Sequence, residues 1–181
     1  MARIYFQKGK FLEGVELAKS SAKDQRIALV LLAYAHGHGV GGAQLDLTKA
    51  ATLLQKGVDL GEPEAMSDLA AAYAAGNGVA KDERRALELL QRAADTGDLE
   101  ANYNLAGVYL SGRLGVSKNI DESLRLIQKA ADGGLPIAQL RLGMILATRE
   151  KRMTPEARRY IVNGREQLER FANLGSARAS T

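Results

Sequence analysis

An internal repeat of 36 to 37 residues constrains the fold of this chain more than any other feature of its sequence. Leu69 and Leu105 lie 36 positions apart, whereas Gln91 and Gln128, beyond an intervening turn, lie 37 positions apart. The one extra residue falls in the turn segment 112–115, so the sequence stays in register on both sides of the insertion. A repeat of this length, with an insertion confined to its turn, is typical of stacked helix pairs.

Start and stop signals for helices recur with the repeat. Apolar residues follow helical spacing in both halves of each copy, and no segment shows sustained alternation with period two. Asp46, Asp82 and Asn119 precede the second helix of successive copies, where a short side chain can accept hydrogen bonds from free N–H groups. Pro63 and Pro136 fall in the first turn of the following helix, which tolerates a missing N–H. The second helices are predicted to end at glycines in a left-handed conformation, namely Gly61, Gly97 and Gly134.

A looser copy of the repeat precedes these two copies, and a divergent copy follows them. The earlier copy has a glycine-rich turn at 37–42 and a loop that is three residues longer. The later copy begins near Ala138 and lacks the glycine-rich turn at 147–153. Thr154 and Pro155 then predict the start of one closing helix. Its apolar stripe is expected at Ala157, Ile161, Gly164, Leu168 and Phe171.

The amino-acid composition of the chain excludes most kinds of catalytic site. Apolar residues make up 46% of the chain and charged residues 25%, as in ordinary globular proteins. The chain has no cysteine, which excludes disulfides, thiolate metal sites and cysteine nucleophiles. The two histidines, His36 and His38, would diverge on a helix, and no carboxylate accompanies them at ligand spacing. No serine has a nucleophile elbow with a plausible base, so we expect no metal, no cofactor and no enzymatic activity.

The turn at 37–42 matches the Gly-x-Gly-x-x-Gly pattern of dinucleotide-binding loops in a formal sense. That motif requires a preceding strand and a following helix whose N-terminus meets the pyrophosphate. Here the segment follows a predicted helix, and a counterpart recurs one repeat later at 76–79. We therefore interpret both segments as structural turns.

Basic residues are concentrated at the C-terminal end. Residues 141–181 contain nine arginines or lysines against four acidic residues, whereas residues 1–140 contain sixteen against seventeen. Glutamates interrupt this basic segment, and few aromatic residues are near enough to stack on bases, so nucleic acid is a weak candidate partner. The chain contains no apolar run of 18 residues, and no apolar h-region of an export signal follows Met1 in the sequence as written. We expect a soluble protein, cytoplasmic as written, or periplasmic if an export signal has been removed.

The repeat resembles the Sel1-like repeat (SLR), a relative of the tetratricopeptide repeat. Residues 65–79 follow the pattern Ala-x-x-x-Leu-(Gly/Ala)-x-x-Tyr-x-x-Gly-x-Gly-Val, and the second helix ends in (Lys/Arg)-Ala-Ala-x-x-Gly. The resemblance covers residues 25–150 well. The first copy departs from the pattern with Arg26 in place of the first alanine, and the fourth has Leu146 in place of the tyrosine.

This resemblance implies an all-α fold, an α/α solenoid of about four helix pairs coiled as a right-handed superhelix. The N-terminal segment is similar to a tetratricopeptide unit entered halfway, so we expect either a fragment of a longer array or a degenerate cap. The chain then divides into a partial N-terminal repeat at 1–22, repeats at 23–62, 63–98 and 99–135, a divergent fourth repeat with a capping helix at 136–175, and a tail at 176–181.

The resemblance also implies where a partner would bind. In tetratricopeptide-like folds the first helix of each pair lines a concave groove. The matching positions are Ala28, Leu32, His36, Ser67, Ala71, Ala74, Tyr103, Gly107, Leu110, Ser111, Leu140, Met144 and Thr148. Such a lining, mostly small or apolar, suits an apolar peptide or an amphipathic helix, although small residues could equally serve close helix packing.

We therefore expect a non-catalytic protein–protein interaction module, an adaptor or scaffold that binds a partner protein or peptide in this groove. The alternative is an inhibitor or immunity-type protein that occludes one effector or enzyme. The resemblance implies bacterial relatives that act as regulators, assembly scaffolds or immunity proteins. The oligomeric state is not readable from the sequence.

Overall fold

The computed structural model describes residues 25–177, with side chains described as far as residue 173. The partial N-terminal repeat predicted at 1–22 and residues 178–181 of the predicted tail lie outside this range. Eight α-helices and no strand are found among the described residues. The helices are α1 (Gln25–His38), α2 (Leu47–Asp59), α3 (Pro63–Ala75), α4 (Glu83–Asp95), α5 (Leu99–Ser111), α6 (Ile120–Asp132), α7 (Pro136–Arg149) and α8 (Pro155–Ala177).

The helices form two compact halves that divide after Thr96. The N-terminal half contains α1 to α4 and the C-terminal half contains α5 to α8. Within each half, every helix packs against the next helix in the chain. This nearest-neighbour packing of helix pairs is that of an α-solenoid, so the predicted all-α repeat fold is confirmed.

The predicted start and stop signals are confirmed residue by residue. The carboxylates of Asp46 and Asp82 accept hydrogen bonds from the N–H groups of Lys49 and Arg85, at 2.8 and 3.0 Å. Asn119 caps α6 in the same way, with a 3.0 Å bond from the N–H of Glu122. Pro63 and Pro136 begin α3 and α7. The three predicted stop glycines have positive φ angles, Gly61 at 77°, Gly97 at 88° and Gly134 at 95°.

The glycine-rich turns are structural, as interpreted. Gly76 ends α3 in the left-handed region, and its N–H donates to Ala72 O at 2.8 Å. Gly78 has a φ of 71°, and a Cβ at this position would collide with the backbone carbonyl of Leu47 at the start of α2. The absence of a side chain at Gly78 therefore lets the loop of one repeat lie against the preceding helix pair. Residues 37 and 38 are the last two of α1, residues 39–42 follow this helix, and no strand precedes them within the described range.

The closing helix α8 begins as predicted and departs from the prediction further along. The hydroxyl of Thr154 accepts a 3.1 Å bond from the N–H of Ala157, which lies buried, and Gly164 is buried as well. Leu168 and Phe171, however, are 39% and 63% exposed. The predicted apolar stripe is therefore wrong beyond Gly164.

The reason lies in the different lengths of the two last helices. Helix α7 has 14 residues and α8 has 23. A Cβ on Gly164 would lie 2.7 Å from the carbonyl oxygen of Pro136, the residue at which α7 begins. Because α8 runs on past this point, its last turns extend beyond the end of the helix that buries its earlier residues.

A buried tyrosine joins α8 to α6. The O–H group of Tyr160, which is 6% exposed, donates a 2.6 Å hydrogen bond to Oδ1 of Asp132. Nε2 of Gln128 donates to the Tyr160 oxygen at 2.8 Å and to Oδ2 of Asp132 at 2.9 Å. These bonds, first from Tyr160 and then from Gln128, hold the pKa of Asp132 below its ordinary value. The same carboxylate, with help from burial, raises the pKa of Tyr160.

These shifts set the pH dependence of the contact. A carboxylate with a lowered folded-state pKa adds stability above its unfolded pKa, and this stability is lost as the pH falls through the folded value. A phenol with a raised folded-state pKa adds stability below about pH 10, and this stability is lost as the pH rises through the folded value. The contact between Tyr160 and Asp132 is therefore strongest between these limits.

The substitution Tyr160→Phe tests this contact, because it removes the hydroxyl and leaves the ring in place. Near neutral pH we expect the free energy of unfolding to fall by about 1 kcal/mol, since Asp132 is exposed and solvent screens part of the interaction. The deficit should shrink as the pH falls below the ordinary aspartate pKa of about 4 and towards the lowered pKa of folded Asp132. Urea titrations across this pH range measure the deficit, and a deficit that does not change with pH contradicts the assignment.

Two glycine substitutions test the close packing of α7 on α8. In Gly164→Ala the new Cβ would meet backbone atoms, 2.7 Å from Pro136 O and 3.1 Å from Leu140 N, which cannot rotate away. We expect it to lower the free energy of unfolding by about 1–3 kcal/mol, as overpacking does, although alanine favours helix. Gly107→Ala is the matched control, because a Cβ there meets nothing within 4 Å. It should raise stability by about 0.5–1 kcal/mol. If chemical denaturation gave the two variants the same change in the free energy of unfolding, helix propensity and not steric contact would explain the effect of both substitutions.

Candidate functional site

The predicted groove residues differ in how much surface they offer. On α1, Ala28 is 4% exposed and belongs to the core, so it has almost no surface for a partner. The half-buried members are Leu32, His36, Ser67, Ala74, Tyr103, Gly107, Leu110 and Leu140. The exposed members are Ala71, Ser111, Met144 and Thr148.

The N-terminal half contains a hollow of about 350 Å³, which we call the N-terminal hollow. Its floor comes from Ala50 and Leu54 on α2. One wall is formed by Tyr34 and His38 on α1, whose rings stack with centroids 4.1 Å apart. Helix α3 contributes Asp68 and the predicted residue Ala71 to the opposite wall. The hollow is thus an apolar depression between two first helices, with the second helix beneath it.

The two histidines have backbone partners near this hollow. A carbonyl oxygen can only accept a hydrogen bond, so each Nδ1 carries the proton. Nδ1 of His36 donates to Gln44 O at 3.1 Å, and Nδ1 of His38 donates to Tyr34 O at 3.0 Å. Both rings are therefore held in place by the fold.

The C-terminal half contains a smaller hollow of about 170 Å³, which we call the C-terminal hollow. Three predicted residues of α5 line it, Tyr103, Gly107 and Leu110. The floor comes from Ser123 and Ile127 on α6. The lining is completed by Asn104 and Ala106 of α5, Arg113 from the loop after α5, and Arg141 from α7. The structure thus places an aromatic and a large aliphatic residue of the predicted lining, Tyr103 and Leu110, at the same hollow.

The two hollows occupy the same place in the repeat. Leu54 and Ile127 are equivalent positions of the second helix, and both form a floor. Asp68 and Arg141 are equivalent positions of the first helix, and both stand at the wall. The charge at this wall position is therefore opposite in the two hollows.

Several lining residues escaped the sequence analysis. The floor residues belong to second helices, whereas the resemblance drew attention to first helices alone. A signal was nevertheless present at Ser123, because the same repeat position holds Ala50 and Ala86 in the earlier copies. Arg141 could have been recognised in the same way from its equivalence with Asp68.

The hydroxyl of Ser123 has an unusual environment for a buried polar group. Ser123 is 1% exposed, and its Oγ has no hydrogen-bond partner among the described residues. The equivalent Ala86 is 0% exposed, so the position accommodates a methyl group. A buried hydroxyl without a partner is destabilising relative to an apolar atom at the same place.

The shifted titratable groups belong to contacts outside both hollows. The hydrogen bond between Glu122 and Arg125 lowers the pKa of Glu122 and raises that of Arg125. The hydrogen bond to Tyr73 raises the pKa of Arg85. Within the described part of the chain, no cluster of three histidine or carboxylate ligands could hold a metal ion. None of the described helices combines the length and apolar character that crossing a membrane requires.

The repeat itself is recognised by comparison with known families. The Sel1 repeat matches residues 26–62, 63–98 and 99–135, which together make up more than half of the chain. The chain belongs to the Sel1 repeat family. Sel1 repeats generally mediate protein–protein interaction and typically form non-catalytic scaffolds. No curated protein sequence matches this Sel1 repeat protein.

Solved structures with the same fold come from several bacteria. A Sel1 repeat protein from Oxalobacter formigenes has a TM-score of 0.71 and 22% identity, over 91% of this chain and 68% of its own. The protective antigen c5321 of uropathogenic Escherichia coli has a TM-score of 0.63 and 25% identity, over 86% of this chain and 33% of its own. The immunity protein Pa5087 from Pseudomonas aeruginosa has a TM-score of 0.63 and 23% identity, over 90% of this chain and 64% of its own. This chain thus spans only part of each of these proteins.

The substitution Ser123→Ala tests whether the buried serine hydroxyl destabilises the folded protein. It replaces an unpartnered hydroxyl by the residue that the equivalent positions already hold. We expect the free energy of unfolding to rise by about 1 kcal/mol. Ala86→Ser, the reverse change one repeat earlier, should lower it by a similar amount. Thermal and urea denaturation measure both, and a fall in stability for Ser123→Ala would show that the hydroxyl has a structural partner.

Proposed function

We propose that this Sel1 repeat protein is a non-catalytic adaptor or scaffold that binds a segment of a partner protein on the first-helix surface of its repeats. The observation that carries the proposal is the pair of hollows at equivalent repeat positions. Each places small or apolar floor residues beneath an exposed mouth with polar groups, which is the arrangement that receives an anchoring side chain.

The predicted lining is kept in this proposal, with one change. Ala28 is omitted, because a residue that is 4% exposed offers a partner almost no contact area. Tyr103 and Leu110 are the expected anchors, since an aromatic and a large aliphatic side chain meet at the C-terminal hollow. At the N-terminal hollow the predicted lining contributes Ala71, whose small side chain leaves room at the mouth.

A second candidate function is an inhibitor or immunity-type protein that occludes one effector or enzyme. The observation that favours it is the likeness to the immunity protein Pa5087, which extends to the fold. The two functions differ in their partners. An inhibitor has one very tight partner whose activity it abolishes, whereas an adaptor binds several partners with moderate affinity and leaves their activities intact.

The test of the proposal begins with a photo-crosslinking amino acid incorporated at Leu110 or Ala71 of the full chain. The labelled protein is then irradiated in an extract of the source cells. Mass spectrometry identifies the captured protein, which is then purified. Titration calorimetry with the purified partner compares the native chain with Tyr103→Ala, Leu110→Ala. We expect the double substitution to raise Kd by at least about tenfold, because two interface anchors are removed.

The control replaces two exposed apolar residues outside the hollows, Leu60→Ala and Val162→Ala. It should leave Kd within about twofold, since exposed residues away from the contact contribute little. Circular dichroism should show the same helicity for all three proteins. Equal Kd values for the native chain and the Tyr103→Ala, Leu110→Ala variant would contradict the proposed site.

A further inference from the structure

The mouth of the C-terminal hollow carries positive charge that no described side chain neutralises by an ion pair. Arg113 and Arg141 both line it, and both are exposed. Neither forms an ion pair with any residue whose side chain the structure describes. Nε of Arg113 donates a 3.1 Å bond to the hydroxyl of Ser111, which orients the guanidinium. No carboxylate is found among the residues that line the hollow.

The remaining polar groups of this hollow also favour an acceptor. The hydroxyl of Ser123 is buried, lines the floor and has no partner among the described residues. Asn104 offers amide N–H groups at the edge. An ionised carboxylate accepts hydrogen bonds and donates none, and guanidinium groups bind it with favourable geometry. The set of donors therefore matches an anionic group.

The size of the hollow limits what can enter. Its volume of about 170 Å³ is below the roughly 300–1,000 Å³ of pockets that hold small molecules. Tyr103, Leu110 and Ile127 give it an apolar wall beside the charged mouth. The space thus suits one side chain with a short apolar stem and a charged end.

The N-terminal hollow supplies the internal comparison. It has Asp68 where the C-terminal hollow has Arg141, and Ala50 where the other has Ser123. Both hollows form, so the repeat fold requires neither the arginine nor the serine. Arg141 and Ser123 therefore distinguish the C-terminal hollow from its counterpart without being required by the repeat fold.

We propose that the C-terminal hollow binds a glutamate or aspartate side chain of the partner segment, with Arg113 and Arg141 pairing with its carboxylate and the Ser123 hydroxyl available as a further donor. This inference rests on the proposed function and names the chemistry of the partner. The apolar wall at Tyr103 and Leu110 receives the stem of the acidic side chain or an adjacent apolar residue.

The experiment uses a random peptide library displayed on phage and selected on the full chain. We expect the enriched peptides to share an acidic position. Fluorescence polarisation then measures one enriched peptide and its Glu→Gln counterpart against the native chain and the variant Arg113→Gln, Arg141→Gln. The Glu→Gln change in the peptide and the double arginine substitution in the protein should each weaken binding by about tenfold or more. Combining them should weaken binding little more than either change alone, because both remove the same interaction. The control Arg149→Gln, Arg158→Gln loses the same charge elsewhere in this half and should bind like the native chain.

A second variant separates ligand binding from folding. Ser123→Ala should weaken the acidic peptide several-fold while the protein becomes more stable, an effect that a damaged fold could not produce. Competition with free glutarate should displace the peptide more effectively than equimolar inorganic phosphate does.

Four outcomes would overturn the inference. Enriched peptides without an acidic position, or equal affinity for the Glu and Gln peptides, would reject the acidic ligand but leave the proposed function standing. Stronger displacement by phosphate would assign the hollow to a phosphorylated ligand. No enriched peptide at all would contradict the inference and the proposed function together.

Discussion

Close contact between helix backbones, made possible by glycine and alanine at the crossing points, is the constraint on which the rest of this structure depends. A Cβ on Gly57 of α2 would lie 2.6 Å from the Cβ of Ala65 on α3. Between α7 and α8 the same role falls to Gly143 and Gly164, which face backbone atoms of the opposite helix. Because packing at this distance leaves no room for even one methyl group, small residues at these positions are needed for neighbouring helices to stack.

The hollows follow from the same packing. Small residues keep helices in contact at the crossing points, and first helices of successive repeats separate above the second helix that lies between them. Ala50 and Leu54 form the floor in one half, and Ser123 and Ile127 in the other. A scaffold of this kind provides recognition surface from its repeat geometry alone, and the side chains at the mouth determine what the surface recognises.

Those features that depend on local chemistry could be predicted from the sequence. The caps at Asp46 and Asp82 and the turn at Gly78 repeat with the helices, so each copy supports the interpretation of the others. Periodicity also predicted an apolar stripe along α8, but it contains no information about how far α8 extends past Pro136, the first residue of α7, and Phe171 is therefore exposed. The floors and mouths of the hollows were missed because they combine residues from three helices. Only the path of the chain in space shows that Ser123 and Arg141 border the same depression.

The wall position that holds Asp68, Asn104 and Arg141 in successive repeats has an evolutionary consequence. An acid, an amide and a base stand there in turn, and each is exposed to solvent. A single substitution at this position can thus change the ligand preference of one repeat while the residues that determine its fold stay the same. The charge that a hollow presents to a partner can therefore differ from repeat to repeat without any change in the residues that cap and pack the helices.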